Sequence, residues 1–194
     1  MEKTVPVSSI TDPALRGRTL VLVGMMGAGK SSVGKRLAQA LDLPFKDADD
    51  EIEKAAGRTI SEIFAQHGEA EFREGERRVI ARLLDEPPHV LATGGGAFVN
   101  DDTRALVKAK ALSIWLKADP EVLAKRVGRK DNRPLLKGKD PRKVLTELLV
   151  VREPAYSQAD LIIESNDGPH HHTVEAIIAA LKDRASRGEL EHKP

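Results

Sequence analysis

The sequence predicts an α/β protein built on a parallel sheet, and three observations carry that prediction. Short apolar runs rich in β-branched residues alternate with stretches of helical periodicity along most of the chain. The first run, 19–24, opens straight into a glycine-rich turn and then an amphipathic stretch. Asp119-Pro120 and Asp140-Pro141 each combine an N-cap acid with a proline suited to the first helical position. Strands that alternate with helices are joined by crossovers, which make them parallel and cover both faces of the sheet.

Residues 1–18 are polar, hold two prolines and read as a leader outside the domain. The strand at 19–24 precedes a helix at about 30–41, with Val33, Leu37, Ala38 and Leu41 on its apolar face. Residues 44–47 suggest a short second strand, followed by helical pieces at 50–56 and 60–67. A longer helix at 69–85 buries Val79, Ile80, Leu83 and Leu84. A third strand, 89–93, closes in Gly94-Gly95-Gly96. A helix at 101–109 and a strand at 111–116 follow. Helices then start at the two Asp-Pro signals, the second running to about 152. A last strand at 161–164 and a last helix at 173–185 complete a single domain, 19–185, before a tail at 186–194.

Composition excludes several classes. With 31 Lys and Arg against 30 Asp and Glu, the chain lacks the one-sided charge of a nucleic-acid wrapper or an acidic tail. Aromatic residues make up only 3%, too few for single-strand stacking platforms. The absence of Cys excludes disulfides, thiolate metal sites and cysteine nucleophiles. No apolar stretch approaches the ~20 residues of a membrane span, and 1–18 lacks the apolar core of a secretory signal. The default compartment is therefore the cytoplasm, without nucleic-acid or membrane partners; a monomer is the expectation, though composition does not derive it.

The most informative stretch is Gly24-Met25-Met26-Gly27-Ala28-Gly29-Lys30-Ser31, which fits G-x4-G-K-[ST] at every fixed position. Such a pattern arises by accident in about one chain in a hundred of this length, and here a strand precedes it and a helix follows. Its glycines let backbone N–H groups turn inward around a phosphate. Lys30 supplies a positive charge for the β- and γ-phosphates, and Ser31 a hydroxyl for Mg²⁺. The helix that starts here adds its partial positive charge. The loop predicts nucleoside triphosphate binding.

P-loop proteins commonly carry a metal-organising aspartate at the end of a second apolar strand, but strand 89–93 ends in Thr93 and glycines. The available acids are Asp47, Asp49 and Asp50. On extended backbone, Asp47 and Asp49 would share a face, one near the metal shell and one accepting the proton of an acceptor hydroxyl. Asp49 and Asp50 can instead cap the following helix, the better reading for Asp50. Arg73, in Glu-Ala-Glu-Phe-Arg-Glu-Gly-Glu at 69–76, either pairs along its helix or binds a ligand. Three glycines at a strand's carboxyl end suit close backbone approach to a ligand. Arg126, Arg129 and Arg133 lie in or beside the charged, aperiodic segment 128–139, the composition of a lid. Arg152, at a helix end, either complements the dipole or serves the site. His170-His171-His172 reads as a surface turn, since adjacent imidazoles converge poorly on one metal.

In combination, GMMGAGKSSVG at 24–34, D-x-D at 47–49, EFR at 71–73, GGG at 94–96, RPLL at 133–136 and REPAY at 152–156 resemble the shikimate kinase family over about 19–182. The resemblance implies a nucleoside-monophosphate-kinase-like fold with a five-stranded parallel sheet, an acceptor-binding region at about 47–75 and a lid at about 126–140. It implies transfer of the ATP γ-phosphoryl group to the 3-hydroxyl of shikimate, on the route to chorismate and the aromatic amino acids. By position, Gly27, Ala28, Gly29, Lys30, Ser31 and Ser32 would hold the phosphates, with Ser31 on Mg²⁺ and Asp47 reaching it through water. Asp49 would bind shikimate hydroxyls, Arg73 and Arg152 its carboxylate, and Gly95 would contact it through backbone. Arg133 would reach the phosphates and Arg126 would pack against adenine. Lys30, Asp49 and Arg133 form the expected catalytic set, while 165–169 should hold the adenine loop without singling out one residue. The family often has Ser-Thr where this chain has Ser31-Ser32, which keeps both hydroxyls. The rival readings are a gluconate-type kinase on the same scaffold and a nucleotide-dependent switch module.

Overall fold

In the computed structural model, which describes residues 17–127, 136 and 138–189, five parallel strands form one sheet in the order β2-β3-β1-β4-β5. They are β1 (Thr19–Val23), β2 (Phe45–Asp47), β3 (Val90–Ala92), β4 (Ala111–Lys117) and β5 (Leu161–Glu164). The helices are α1 (Lys30–Leu41), α2 (Ala48–Ala56), α3 (Ile60–Leu84), α4 (Asp101–Lys110), α5 (Pro120–Val127), α6 (Pro141–Tyr156) and α7 (His170–Ser186). Central β1 pairs with β3 through Leu20–Val90, Val21–Leu91 and Leu22–Ala92, and with β4 on its other side. Every residue of β1 is buried, as expected of a strand covered on both faces. Burying a side chain such as Leu22 or Val23 is worth roughly 1.5–3 kcal/mol. Because all strands run the same way, their carboxyl ends meet on one side, the position at which open α/β sheets bind ligands.

Helix ends follow local chemistry. Thr59 and Glu62 form a reciprocal capping box at α3, Asn100 accepts from the Thr103 N–H at α4, and Asp140 accepts from the Arg142 N–H ahead of α6. The helical pieces expected at 60–67 and 69–85 are both present and meet at Gly68, whose φ 79° and ψ 179° put the break between them at the glycine. Two expectations need correction. Helix α6 does not stop at Arg152 but continues through Pro154 to Tyr156. The carbonyl that proline leaves without an intrahelical partner belongs to exposed Val150, where water can satisfy it. The triple histidine is no surface turn: it forms the first turn of α7, whose start follows Gly168-Pro169 without a capping side chain.

Candidate active site

The carboxyl ends of β1, β2 and β3 open into a cleft of about 1350 Å³. Gly27, Gly29, Lys30, Ser31, Ser32, Asp47, Asp49, Arg73, Gly95, Arg126 and Arg152 all line it. Ala28, fully buried, supports the loop from behind. Arg129 and Arg133, with most of the segment 126–140, lie outside the described residues.

The loop between β1 and α1 depends on backbone that only glycine adopts easily. Gly27 has φ 82° and Gly29 φ 92°. A Cβ on Gly27 would also stand 2.8 Å from Val127 Cγ2 and 3.0 Å from the Leu123 carbonyl, so α5 packs flush against the loop. Lys30 is nearly buried and its Nζ donates to the carbonyls of Gly24 and Met25, each at 2.8 Å. These bonds hold the ammonium at the mouth of the loop. Arg126 Nη1 donates to the carbonyls of Gly27 and Ala28 and to Ser165 Oγ, each at 3.3 Å, and its Nη2 to the Asn166 carbonyl. It thereby fastens α5 and the loop after β5 to the phosphate loop.

Asp47 differs from the sequence reading in one respect. It is itself the N-cap of α2: Oδ1 accepts from the Asp49 N–H at 3.0 Å, while Oδ2 accepts from Ser31 Oγ at 2.5 Å. Asp49 and Asp50 stand in the first helical turn, not on extended backbone and not as caps. Asp47 and Asp49 nevertheless both face the cleft, because the chain turns from strand to helix between them. Among the described residues no group of three or more His, Asp or Glu is arranged around a metal position.

Each of the three glycines after β3 has a different partner. A Cβ on Gly94 would lie 2.9 Å from Glu76 Oε1 and 3.3 Å from Asp49 Oδ1; on Gly95 it would lie 3.1 Å from Arg152 Nη1; on Gly96 it would overlap the Arg73 guanidinium. None of these three needs a left-handed backbone, so what they supply is room for the charged groups around them. Arg73 Nη1 donates to Glu76 Oε2 at 2.7 Å. Arg152 is 7% exposed, yet its buried Nη1 has no hydrogen-bond partner among the described residues, and neither has Glu76 Oε1. Tyr156 donates its hydroxyl to the Gly95 carbonyl, which ties α6 to the glycine turn. Burial pushes that phenol up to about 12.

Two carboxyl groups at this end are held above the ordinary carboxylate range. For Asp49 the cause is removal from water and then the Asp47 carboxylate, against the pull of Lys30. For Glu76 it is burial, only partly offset by Arg73. Glu76, with Phe64 and Phe72 beside it in the lining, was missed in the sequence; its place three residues after Arg73, on one helix face, was the available signal. His170 was missed too, and it lines the opposite end of the cleft.

Comparisons with known proteins identify the family and the fold. A family model for shikimate kinase matches residues 26–182. The chain is 69% identical over 168 residues to a shikimate kinase of Caulobacter vibrioides, covering 87% of this chain and 84% of that one. It is 60% identical over 169 residues to that of Bradyrhizobium diazoefficiens, covering 87% and 82%. Among solved structures, a shikimate kinase from Acinetobacter baumannii in complex with shikimate superposes with a TM-score of 0.85 at 37% identity, covering 89% of this chain and 97% of that one. A gluconokinase from Sinorhizobium meliloti shares the fold, with a TM-score of 0.62 at 20% identity over 89% of this chain and 95% of its own. With its phosphate loop, acidic strand end and arginine-flanked glycine turn in one cleft, and with relatives of this closeness, the chain belongs to the shikimate kinase family.

Proposed function

We propose that the chain transfers the γ-phosphoryl group of ATP to the 3-hydroxyl of shikimate, giving ADP and shikimate 3-phosphate on the way to chorismate. The carrying observation is the acceptor end of the cleft, where the guanidinium groups of Arg73 and Arg152 converge on Gly95 and Gly96, one of them with a buried unpartnered N–H. An anionic acceptor supplies the oxygen that this N–H lacks, and arginine grips a carboxylate in bidentate fashion. A Gly95 backbone contact completes the clamp. We assign the acceptor-binding region to about 47–75 within a single domain, 19–185.

Phosphoryl transfer asks a protein mainly for positioning and charge neutralisation. In this reading Gly27 to Ser32 cradle the triphosphate with aimed backbone dipoles, and Lys30 turns its ammonium from the loop carbonyls toward the transferring oxygens. Arg126, bonded to the Gly27 and Ala28 carbonyls, packs against adenine. Asp49 orients the attacking hydroxyl and takes its proton as the oxygen–phosphorus bond forms and the bond to ADP breaks. Ser31 and Asp47, two hard oxygen groups in hydrogen-bond contact, fit Mg²⁺ and would hold it together with the nucleotide phosphates. When bound there, the ion neutralises charge on the β- and γ-phosphates.

Among the described residues no helix is long and apolar enough to cross a membrane. The cytoplasm, which supplies ATP, and a monomer whose one chain provides the whole cleft complete the proposal. ADP release with ATP and Mg²⁺ tests it in three arms: shikimate, gluconate and no acceptor. Release that requires shikimate is the expected result. Release with gluconate alone would move the chain to the gluconate-type reading, and equal release in all arms would mean an NTPase.

A further inference from the structure

Among the described side chains that line the cleft without a role so far, His170 stands out for a buried ring nitrogen without a partner. His170 opens α7 and faces the nucleotide end, next to Asp167, Gly168 and Pro169. Its ring packs on the phosphate loop: a Cβ on Gly29 would lie 3.2 Å from its Cε1 and 3.5 Å from its Nδ1, with Arg126 Nη1 at 3.8 Å from the same point. His170 Nδ1 is buried and has no hydrogen-bond partner among the described residues. Its neighbours in sequence differ, since His171 and His172 are exposed and meet edge to face, their ring centres 4.2 Å apart. A buried polar atom without a partner is costly, and such an atom at the edge of a ligand cleft is explained most simply by the ligand.

We propose that His170 is a nucleotide-contacting residue of this chain, that its Nδ1 donates to an anionic oxygen of the nucleotide beside Gly29, and that nucleotide binding takes up a proton at this ring. The proposal rests on the nucleotide-binding reading above and adds to it a residue and a proton.

The surroundings of the ring set the direction. Without ligand, burial holds the imidazole below its ordinary range, and the cations that face it, Arg126 from α5 and Arg36 from α1, act the same way. On its own loop, Asp167 is held in an ion pair by Lys125 of α5. A triphosphate or diphosphate arriving at Gly29 brings negative charge beside the ring. That charge opposes the two arginines and favours the imidazolium. By linkage, a ring whose proton affinity is raised by the ligand raises ligand affinity as pH falls between its bound and free values.

The test is calorimetric titration of ADP with Mg²⁺ in buffers of different ionisation enthalpy, using the full chain, His170→Gln and His171→Gln. The nucleotide's own phosphate titration is common to all three and cancels in the differences. The expected result is a larger proton uptake in the parent and in His171→Gln than in His170→Gln. The parent should also gain about three- to tenfold in affinity between about pH 8 and pH 6 beyond any gain in His170→Gln, because whatever factor the nucleotide adds to the ring's proton affinity, the proton adds to nucleotide affinity. Equal proton counts in the parent and His170→Gln would overturn the proposal. Nuclear magnetic resonance titration of the parent's imidazoles, with and without ADP, gives a readout that needs no variant to fold. Raising of the His170 titration by ADP supports the proposal, and unchanged titration of all six histidines overturns it. None of these measurements involves an acceptor, so a failed shikimate assay on the same preparation would count against the kinase reading without touching this one.

Discussion

On the proposed assignment, the groups that would meet the nucleotide are mostly backbone amides, aimed by two glycines of positive φ and by a helix start, whereas those that would meet the acceptor are charged side chains drawn from α2, α3 and α6. The first kind of site is preformed, because its dipoles are fixed by the fold. The second is held together by ion pairs such as Arg73–Glu76 at 2.7 Å and by glycines that leave room for them. Substitution should therefore act differently at the two ends: on the chemical step where dipoles and Lys30 meet the transferring group, on acceptor affinity where arginines meet a carboxylate.

The largest test of that contrast is Lys30→Ala. It should lower kcat by about 10³-fold, at the upper end of what one preorganised group supplies, in a chain whose circular dichroism is unchanged. Near-normal turnover would remove Lys30 from the transfer step. Asp49→Asn comes next, with about 10²- to 10³-fold lost from kcat. Because the Asp49 carboxyl is raised by removal from water and by Asp47, the parent's kcat/KM should fall on the acid side at a pH above the ordinary carboxylate range. That limb should be missing from the residual activity of Asp49→Asn; a shared limb would assign it to another group.

Arg152→Ala carries the other half of the comparison. It should raise the shikimate KM by roughly 10- to 150-fold, the equivalent of about 1.5–3 kcal/mol for a charge-assisted contact, and leave the KM for ATP nearly unchanged. Equal effects on both constants would show that the two ends are not separable. The smallest expected effect belongs to Glu76→Gln. A carboxyl whose folded value is raised above its unfolded one weakens folding once it ionises, and the penalty disappears as pH falls below the unfolded value. Removing the charge should therefore raise the melting temperature by a few degrees at neutral pH and weaken acceptor binding several-fold, since Arg73 loses its anchor. A variant both less stable and unchanged in binding would contradict that assignment.

The same contrast explains what could be read from the sequence. The phosphate loop is contiguous, so its glycines, lysine and hydroxyl are visible as a string, and the strand before it and helix after it formed as expected. The acceptor end is assembled from residues far apart in the chain. Nothing in the spacing of Arg73, Gly95 and Arg152 brings them together; the sheet order does, and only the family resemblance anticipated it. Glu76 escaped because a helical Arg–Glu pair reads as surface chemistry until burial shows that one partner is inside. His170 escaped because α7 begins without a capping side chain, so its start was placed three residues late. The local error at Asp50 has the same character: Asp47, Asp49 and Asp50 all suit a helix start, and only the strand end at Asp47 decides which one caps it.

The chain holds one tryptophan and one tyrosine, and the fold sets their rings 5.6 Å apart. Trp115 is buried in the sheet with the Lys117 ammonium 5.2 Å from its ring, and Tyr156 is bonded to the Gly95 carbonyl. Optically, then, the protein is a single-tryptophan instrument. All of its indole emission comes from one buried place, coupled by near contact to the ring that grips the floor of the cleft, so an acceptor settling on the glycine turn should change the colour or yield of light from unlabelled protein.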